Sequence, residues 1–108
     1  MELPYKHIED LASTVDIPQD GVLSRNIFKD DTLNAIVFAF DTGQELSEHT
    51  ASMPAIIQII KGEARLTLGD DEFDAQAGTW AHMQANLKHS IYAKSPVIML
   101  LLMLKNRK

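Results

Sequence analysis

From Val22 to Leu104 this chain is a succession of short runs rich in β-branched and aromatic residues, each closed within a few residues by a turn signal. The runs are Leu23–Phe28, Thr32–Phe40, Pro54–Ile60, Glu63–Leu68, Glu72–Ala75, Thr79–Met83, His89–Ala93 and Val97–Leu104. Between them stand Lys29-Asp30-Asp31, Asp41-Thr42-Gly43, Lys61-Gly62, Gly69-Asp70-Asp71, Ala77-Gly78, the loop Gln84–Lys88 and Ser95-Pro96. Strands this short and this regularly interrupted predict an all-β antiparallel fold, a sandwich or small barrel. Gly69-Asp70-Asp71 reads as a tight hairpin turn, and the glycine at Lys61-Gly62 as a bend or bulge.

Two runs admit a helical reading, Pro54–Lys61 and Val97–Lys108, because short apolar stretches carry no decisive period. Ile56, Ile57, Ile59 and Ile60 argue for strand through their branched side chains. For the leucine-rich C-terminal run, propensity favours helix, and only the surrounding strand pattern turns the expectation to β. Ahead of the strands lies an N-terminal arm, residues 1–21. Within it Ile8–Ser13 is expected to form a short helix, with Ile8 and Leu11 inward, stopped by Pro18–Gly21. The 108 residues suit one domain, arm plus a barrel over 22–104.

Composition excludes several classes of function. There is no cysteine, so the chain has no disulfide framework, thiolate nucleophile or zinc–thiolate site, and a cytoplasmic location is the expectation. The formal charge is −5, and apart from Lys105, Arg107 and Lys108 the basic residues are scattered, which gives no footprint for a nucleic acid. The start, Met1 to Lys6, lacks the basic and apolar segments of a signal peptide. Val97–Leu104 is far short of the roughly 20 apolar residues of a membrane helix. No membrane partner is expected.

Two framed histidines carry the chemistry. The first frame places Gly43, His49, Ala51, Ala55 and Gly62 in order, and the second Gly78, Gln84, Asn86 and His89. In spacing these frames resemble the two motifs of the cupin family, over roughly Thr32 to Leu104. Small bacterial cupins are similar again at His49-Thr50-Ala51, Lys61-Gly62-Glu63-Ala64 and His89-Ser90-Ile91-Tyr92-Ala93. The resemblance implies a small antiparallel β-barrel, or jelly roll, with His49 and His89 at metal-ligand positions inside it. The ion so implied is a divalent transition metal: Fe, Mn, Ni, Cu or Zn. Ala51 stands where the family has its second histidine, Ala55 where it has a glutamate, Gln84 for a proline, Asn86 for a glycine and Ala93 for an asparagine.

His49, Ala51, Ala55, Ile57 and Ile59 share parity, so if His49 points inward the others are expected to follow. The expected ligand pocket is lined by Ala51, Ala55, Ile57, Met83 and Trp80, although a large aromatic in a barrel strand is more often core or interface. Two imidazoles make an incomplete shell, since catalytic sites normally take three or more protein ligands. Candidates for a third are His82, Glu48 and Gln58. His82 has the best side chain but uncertain parity. Glu48 faces away from His49 unless a bulge intervenes, and Gln58 has the wrong parity. His7 is not expected at the site.

Met53, Met83, Met99 and Met103 are expected as core filler rather than a copper site, and Asp70–Glu72 as a solvated hairpin tip rather than a calcium loop. If Ile57 and Ile59 face in, then Ile56, Gln58 and Ile60 face out and need cover, which predicts a homodimer. The functions open to such a chain are a small-molecule binding barrel with or without a divalent metal at His49 and His89, a metal-free ligand-binding or sensing module, and a metal-dependent dioxygenase or isomerase. A stress or storage protein without chemistry is a weaker alternative.

Overall fold

β-Branched and aromatic residues fill strands because their side chains pack well on a pleated surface, and the chain forms nine of them among the residues described here. The computed structural model describes residues 3–105; Met1, Glu2, Asn106, Arg107 and Lys108 lie outside the described residues. The strands are β1 (Val22–Lys29), β2 (Leu33–Phe40), β3 (Glu45–His49), β4 (Ala55–Lys61), β5 (Glu63–Leu68), β6 (Asp71–Gln76), β7 (Trp80–Met83), β8 (His89–Ala93) and β9 (Val97–Leu104). They make a five-stranded antiparallel sheet in the order β1-β2-β9-β4-β7 and a four-stranded one in the order β3-β8-β5-β6. This is the expected all-β sandwich-like barrel. No helix among the described residues is long and apolar enough to cross a membrane.

Alternation assigns the two faces. In the five-stranded sheet Phe40, Ala55, Ile57, Ile59, Met83, Val97 and Met99 turn inward and meet Ala64, Leu66, Ala75, Ile91 and Ala93 of the other sheet. That is the main core. A second apolar layer lies behind the five-stranded sheet, where Val37, Ala39, Ile98 and Leu100 pack with Val15 and, at its margin, Leu11, Ala12, Ile17 and Ile60. The N-terminal arm therefore covers the outside of this sheet. β9 is its middle strand, and residues Val97 to Leu100 are buried on both faces. A strand covered on both sides has no reason to alternate, which is why its sequence reads as an unbroken apolar run that propensity alone would make helical.

The arm differs from expectation in form. Instead of a helix over Ile8–Ser13 it makes one 3₁₀ turn, Leu11–Thr14. Asp10 caps it, its carboxylate accepting from the Ala12 N–H at 3.1 Å and the Ser13 hydroxyl at 2.7 Å. Both groups draw on the same acidic side chain, which favours a cap and turn over a helix interior. Asp41 anchors the arm's other end. Its carboxylate accepts from the N–H groups of Asp20 (2.8 Å) and Thr42 (2.9 Å), and these bonds hold it below the usual carboxylate range.

β3 is a strand that the sequence pattern did not announce. Of its residues Glu45-Leu46-Ser47-Glu48-His49 only Leu46 is apolar, and only Leu46 packs on the core. It lies at the edge of its sheet and pairs on one side alone, so a polar outer face is no burden.

Gly62 is the position where the fold permits no side chain. Its φ is +94°, and a Cβ built there would lie 2.0 Å from the carbonyl oxygen of Pro96. Gly78 has a similar φ, +97°, but open space around it. The two glycines separate torsional strain from steric collision. Gly78→Ala is expected to cost about 1–2 kcal/mol, the strain of a left-handed residue alone. Gly62→Ala adds a backbone collision and is expected to lower the urea midpoint by at least twice as much. Equal losses in the two variants would contradict this account.

Candidate functional site

The turning of His49 is the local event from which the site is built. On β8, His89, Ile91 and Ala93 face the core. Across the β3–β8 ladder Leu46 pairs with Ile91 and His49 with His89, so three residues of β3 span two of β8. That extra residue is a bulge at Ser47–Glu48. Without it His49 would face opposite to Leu46; with it, both face inward, because directly paired residues share a face.

The two rings consequently meet. Their centroids are 4.2 Å apart with planes inclined by 59°. His89 is 8% exposed, and His49 is exposed to solvent, so the pair spans from barrel wall to surface.

Each ring is oriented by the backbone carbonyl two residues before it. His49 Nδ1 lies 2.7 Å from the carbonyl oxygen of Ser47, and His89 Nδ1 lies 2.9 Å from that of Leu87. A carbonyl only accepts, so each Nδ1 carries the proton and donates. In the neutral rings the lone pair then sits on Nε2, away from the backbone. Metal-ligating histidines are fixed in tautomer by the same kind of contact.

The loops on either side are tied down by backbone bonds. The loop from β3 to β4 and the loop from β7 to β8 are joined by the Asn86 N–H donating to the Ala51 carbonyl at 2.7 Å. Pro54 accepts from the Leu104 N–H at 2.9 Å, and Lys88 from the Gly69 N–H at 2.7 Å. Asn86 holds a φ of +70°, a conformation that asparagine tolerates better than most residues. The conformation explains how asparagine serves at a position where the resembling motif has glycine.

The other expected site residues are distributed as follows. Ala55, Ile57 and Met83 do face inward, but as core residues only 2–3% exposed. Ala51 lies in the loop, half-buried. The continuous parity row from His49 to Ala55 does not exist, because β3 and β4 belong to different sheets and the loop between them breaks the count. His49 owes its direction to the bulge instead.

Trp80 and His82 lie elsewhere than their expected place in the barrel interior. On β7 Met83 is buried and faces the core, so alternation turns His82 outward, and His82 is exposed opposite Ile56. Trp80 shares that outer face and is 59% exposed. Neither lines the barrel interior. Gln58 pairs with Trp80 on the same outer face, as its parity predicted. The bulge that Glu48 needed is present, yet Glu48 is exposed and joins no cluster: no group of three His, Cys, Asp or Glu side chains able to hold a metal occurs among the described residues. A cavity of about 670 Å³ lies away from the histidines, between Leu3, Tyr5 and Ile8 of the arm and Phe28 and Leu33 of the first hairpin.

For the divalent ion implied by the cupin resemblance, the residues present fit in part. Two imidazoles are correctly oriented, but Ala51 and Ala55 bring methyl groups where a closed shell needs donors. This is not the three- or four-ligand set of a catalytic divalent centre.

Comparison with known structures places the fold. A conserved protein of unknown function from Streptococcus pyogenes is 30% identical, matches over 98% of this chain and 93% of its own, and superposes with a TM-score of 0.85. A cupin superfamily protein from Desulfitobacterium hafniense is 27% identical over 96% and 95% of the two chains, also with a TM-score of 0.85. An RmlC-like cupin from Desulfovibrio desulfuricans, at 18% identity, shares the fold with a TM-score of 0.82 over 93% of this chain and 97% of its own. No protein-family model and no curated protein matches the chain. The chain belongs to the cupin superfamily.

The unequal exposure of the two rings has a measurable consequence. His49→Ala is expected to change stability by no more than about 0.5 kcal/mol, as for most exposed positions. His89→Ala removes a buried ring and is expected to cost about 1–3 kcal/mol. Urea unfolding of both variants checks the difference.

Proposed function

We propose that this cupin barrel binds a small molecule at the end where His49 and His89 meet, with the two Nε2 atoms as its polar contacts. The supporting observation is the oriented pair: both Nδ1 atoms are engaged by backbone carbonyls and the rings are in contact. Two adjacent imidazoles accept hydrogen bonds when neutral and attract an anion when protonated. Small carboxylates and hydroxylated molecules are the chemistry they suit. The alanines at 51 and 55 favour a binding or sensing module over an enzyme, since no group of three His, Cys, Asp or Glu side chains able to hold a metal occurs among the described residues. A cytoplasmic location belongs to the same proposal.

A second reading has its own observation. The Nδ1-to-carbonyl contacts leave both Nε2 atoms as ligands, so His49 and His89 would hold a transition ion while the bound molecule completes the shell. Such an ion would act as Lewis acid and template. Screening small carboxylates by NMR is expected to perturb the His49 and His89 ring resonances together, and compounds found this way are expected to show no binding by calorimetry to a His49→Ala/His89→Ala variant. Metal analysis of tag-free protein decides the second reading. If no compound moves the rings and no ion among Fe, Mn, Ni, Cu and Zn is retained, both readings fall.

The proposal extends to assembly. The arm covers only part of the outer face of the five-stranded sheet, and half-buried Ile56, Gln58 and Leu102 continue that face toward exposed Trp80. A second copy of the chain is the partner we assign to it. Light scattering at micromolar concentration is expected to give twice the 12.1 kDa chain mass, and Trp80→Glu to halve it. A monomer under the same conditions would remove the dimer.

A further inference from the structure

The register of the five-stranded sheet puts two thioethers where the family-like shell has lost its carboxylate. Ala55 pairs with Met83 on one side and with Met103 on the other. Directly paired residues share a face, and Ala55 and Met83 are both in the main core. Met103 follows Val97, Met99 and Leu101 at alternate positions on the inward side of β9, and is half-buried. The inner row at this end of the sheet therefore reads Asn34–Met103–Ala55–Met83, with the Asn34 amide at its far end from Met83.

The imidazoles face that row from the other sheet. His49 ends β3 and Ala55 begins β4, joined by the loop 50–54; Met83 ends β7 and His89 begins β8, joined by the loop 84–88. Two short loops, tied to each other by the Asn86–Ala51 bond, force both rows to the same end of the barrel. Facing sheets lie about 10 Å apart, a gap that histidine and methionine side chains reach across from opposite sides. Residue 55, paired between the two methionines, contributes only a methyl group to this row.

Imidazole nitrogens and thioether sulfurs together, with no carboxylate in a cluster with them, form a soft donor set. Thioethers bind hard divalent ions poorly and select Cu(I). We propose that this end of the barrel is a Cu(I) site formed by His49, His89, Met83 and Met103. The inference rests on the second reading above, that the imidazole pair meets a metal, and it changes which ion that is. As a soft closed-shell ion, Cu(I) accepts this mixed nitrogen and thioether set better than the divalent ions do. The methionines would then have two roles, since Met83 also fills the core.

The test is anaerobic competition for Cu(I) against a chromophoric Cu(I) chelator, with Zn²⁺ binding measured in parallel. Wild-type protein is expected to bind one Cu(I). A Met83→Leu/Met103→Leu variant, which keeps side-chain volume, is expected to lose Cu(I) affinity by about tenfold or more while Zn²⁺ binding changes less than about twofold. Zn²⁺ binding also reports that the variant folds. X-ray absorption at the copper edge is expected to show sulfur scatterers in the wild type and none in the variant. Cu(I) binding that the leucine variant leaves unaltered would overturn the assignment of the sulfurs yet keep the histidine metal site. Failure to bind either ion would overturn both.

Discussion

Burial of β9 on both faces is the constraint from which the rest of this molecule follows. Its inward residues Val97 and Met99 sit in the barrel core, and its outward residues Ile98 and Leu100 sit beneath the arm. A strand apolar on both sides must be central and must be covered twice. The four-stranded sheet supplies one cover and the arm supplies the other. That arrangement sets β2 and β4 as the neighbours of β9, and it brings the end of β9 beside Ala55. The placement of the candidate site is therefore a by-product of how the middle strand is sheltered.

Fold was written in the sequence more plainly than direction. Eight of the nine strands coincide with apolar or alternating runs, because burial on one face or two imposes those patterns directly. β3 escaped because an edge strand with one packed residue has almost no pattern to impose. The arm's turn was misjudged for a different reason: Asp10 can satisfy the same backbone donors in a cap as in a helix, and local sequence does not choose between them. His49 and His89 were legible as a pair through their glycine frames. The bulge that aims His49 was not, since Ser47 and Glu48 have no composition that announces an extra residue. His82 was a candidate only while its distance from the loop left parity open; once Met83 is fixed in the core, its neighbour must face out.

The site that results is built from backbone more than from side chains. Carbonyls of Ser47 and Leu87 set both tautomers, a carbonyl of Ala51 joins the two loops, and an unusual φ at Asn86 makes that bond geometrically possible. Such a scaffold holds two rings in place at little expense in specific residues. It also leaves the rings' outer nitrogens as the principal polar groups facing whatever arrives.

Ala55 has a consequence for how this barrel can change. It is 3% exposed, hemmed between two methionines on the floor of the core. Placing a carboxylate at that position would put a charge in an apolar enclosure, unfavourable by several kcal/mol unless a cation arrived with it. The thioethers have thus closed a route as well as filled a space. A hard four-ligand centre at this end of the barrel would need changes in packing as well as in ligands.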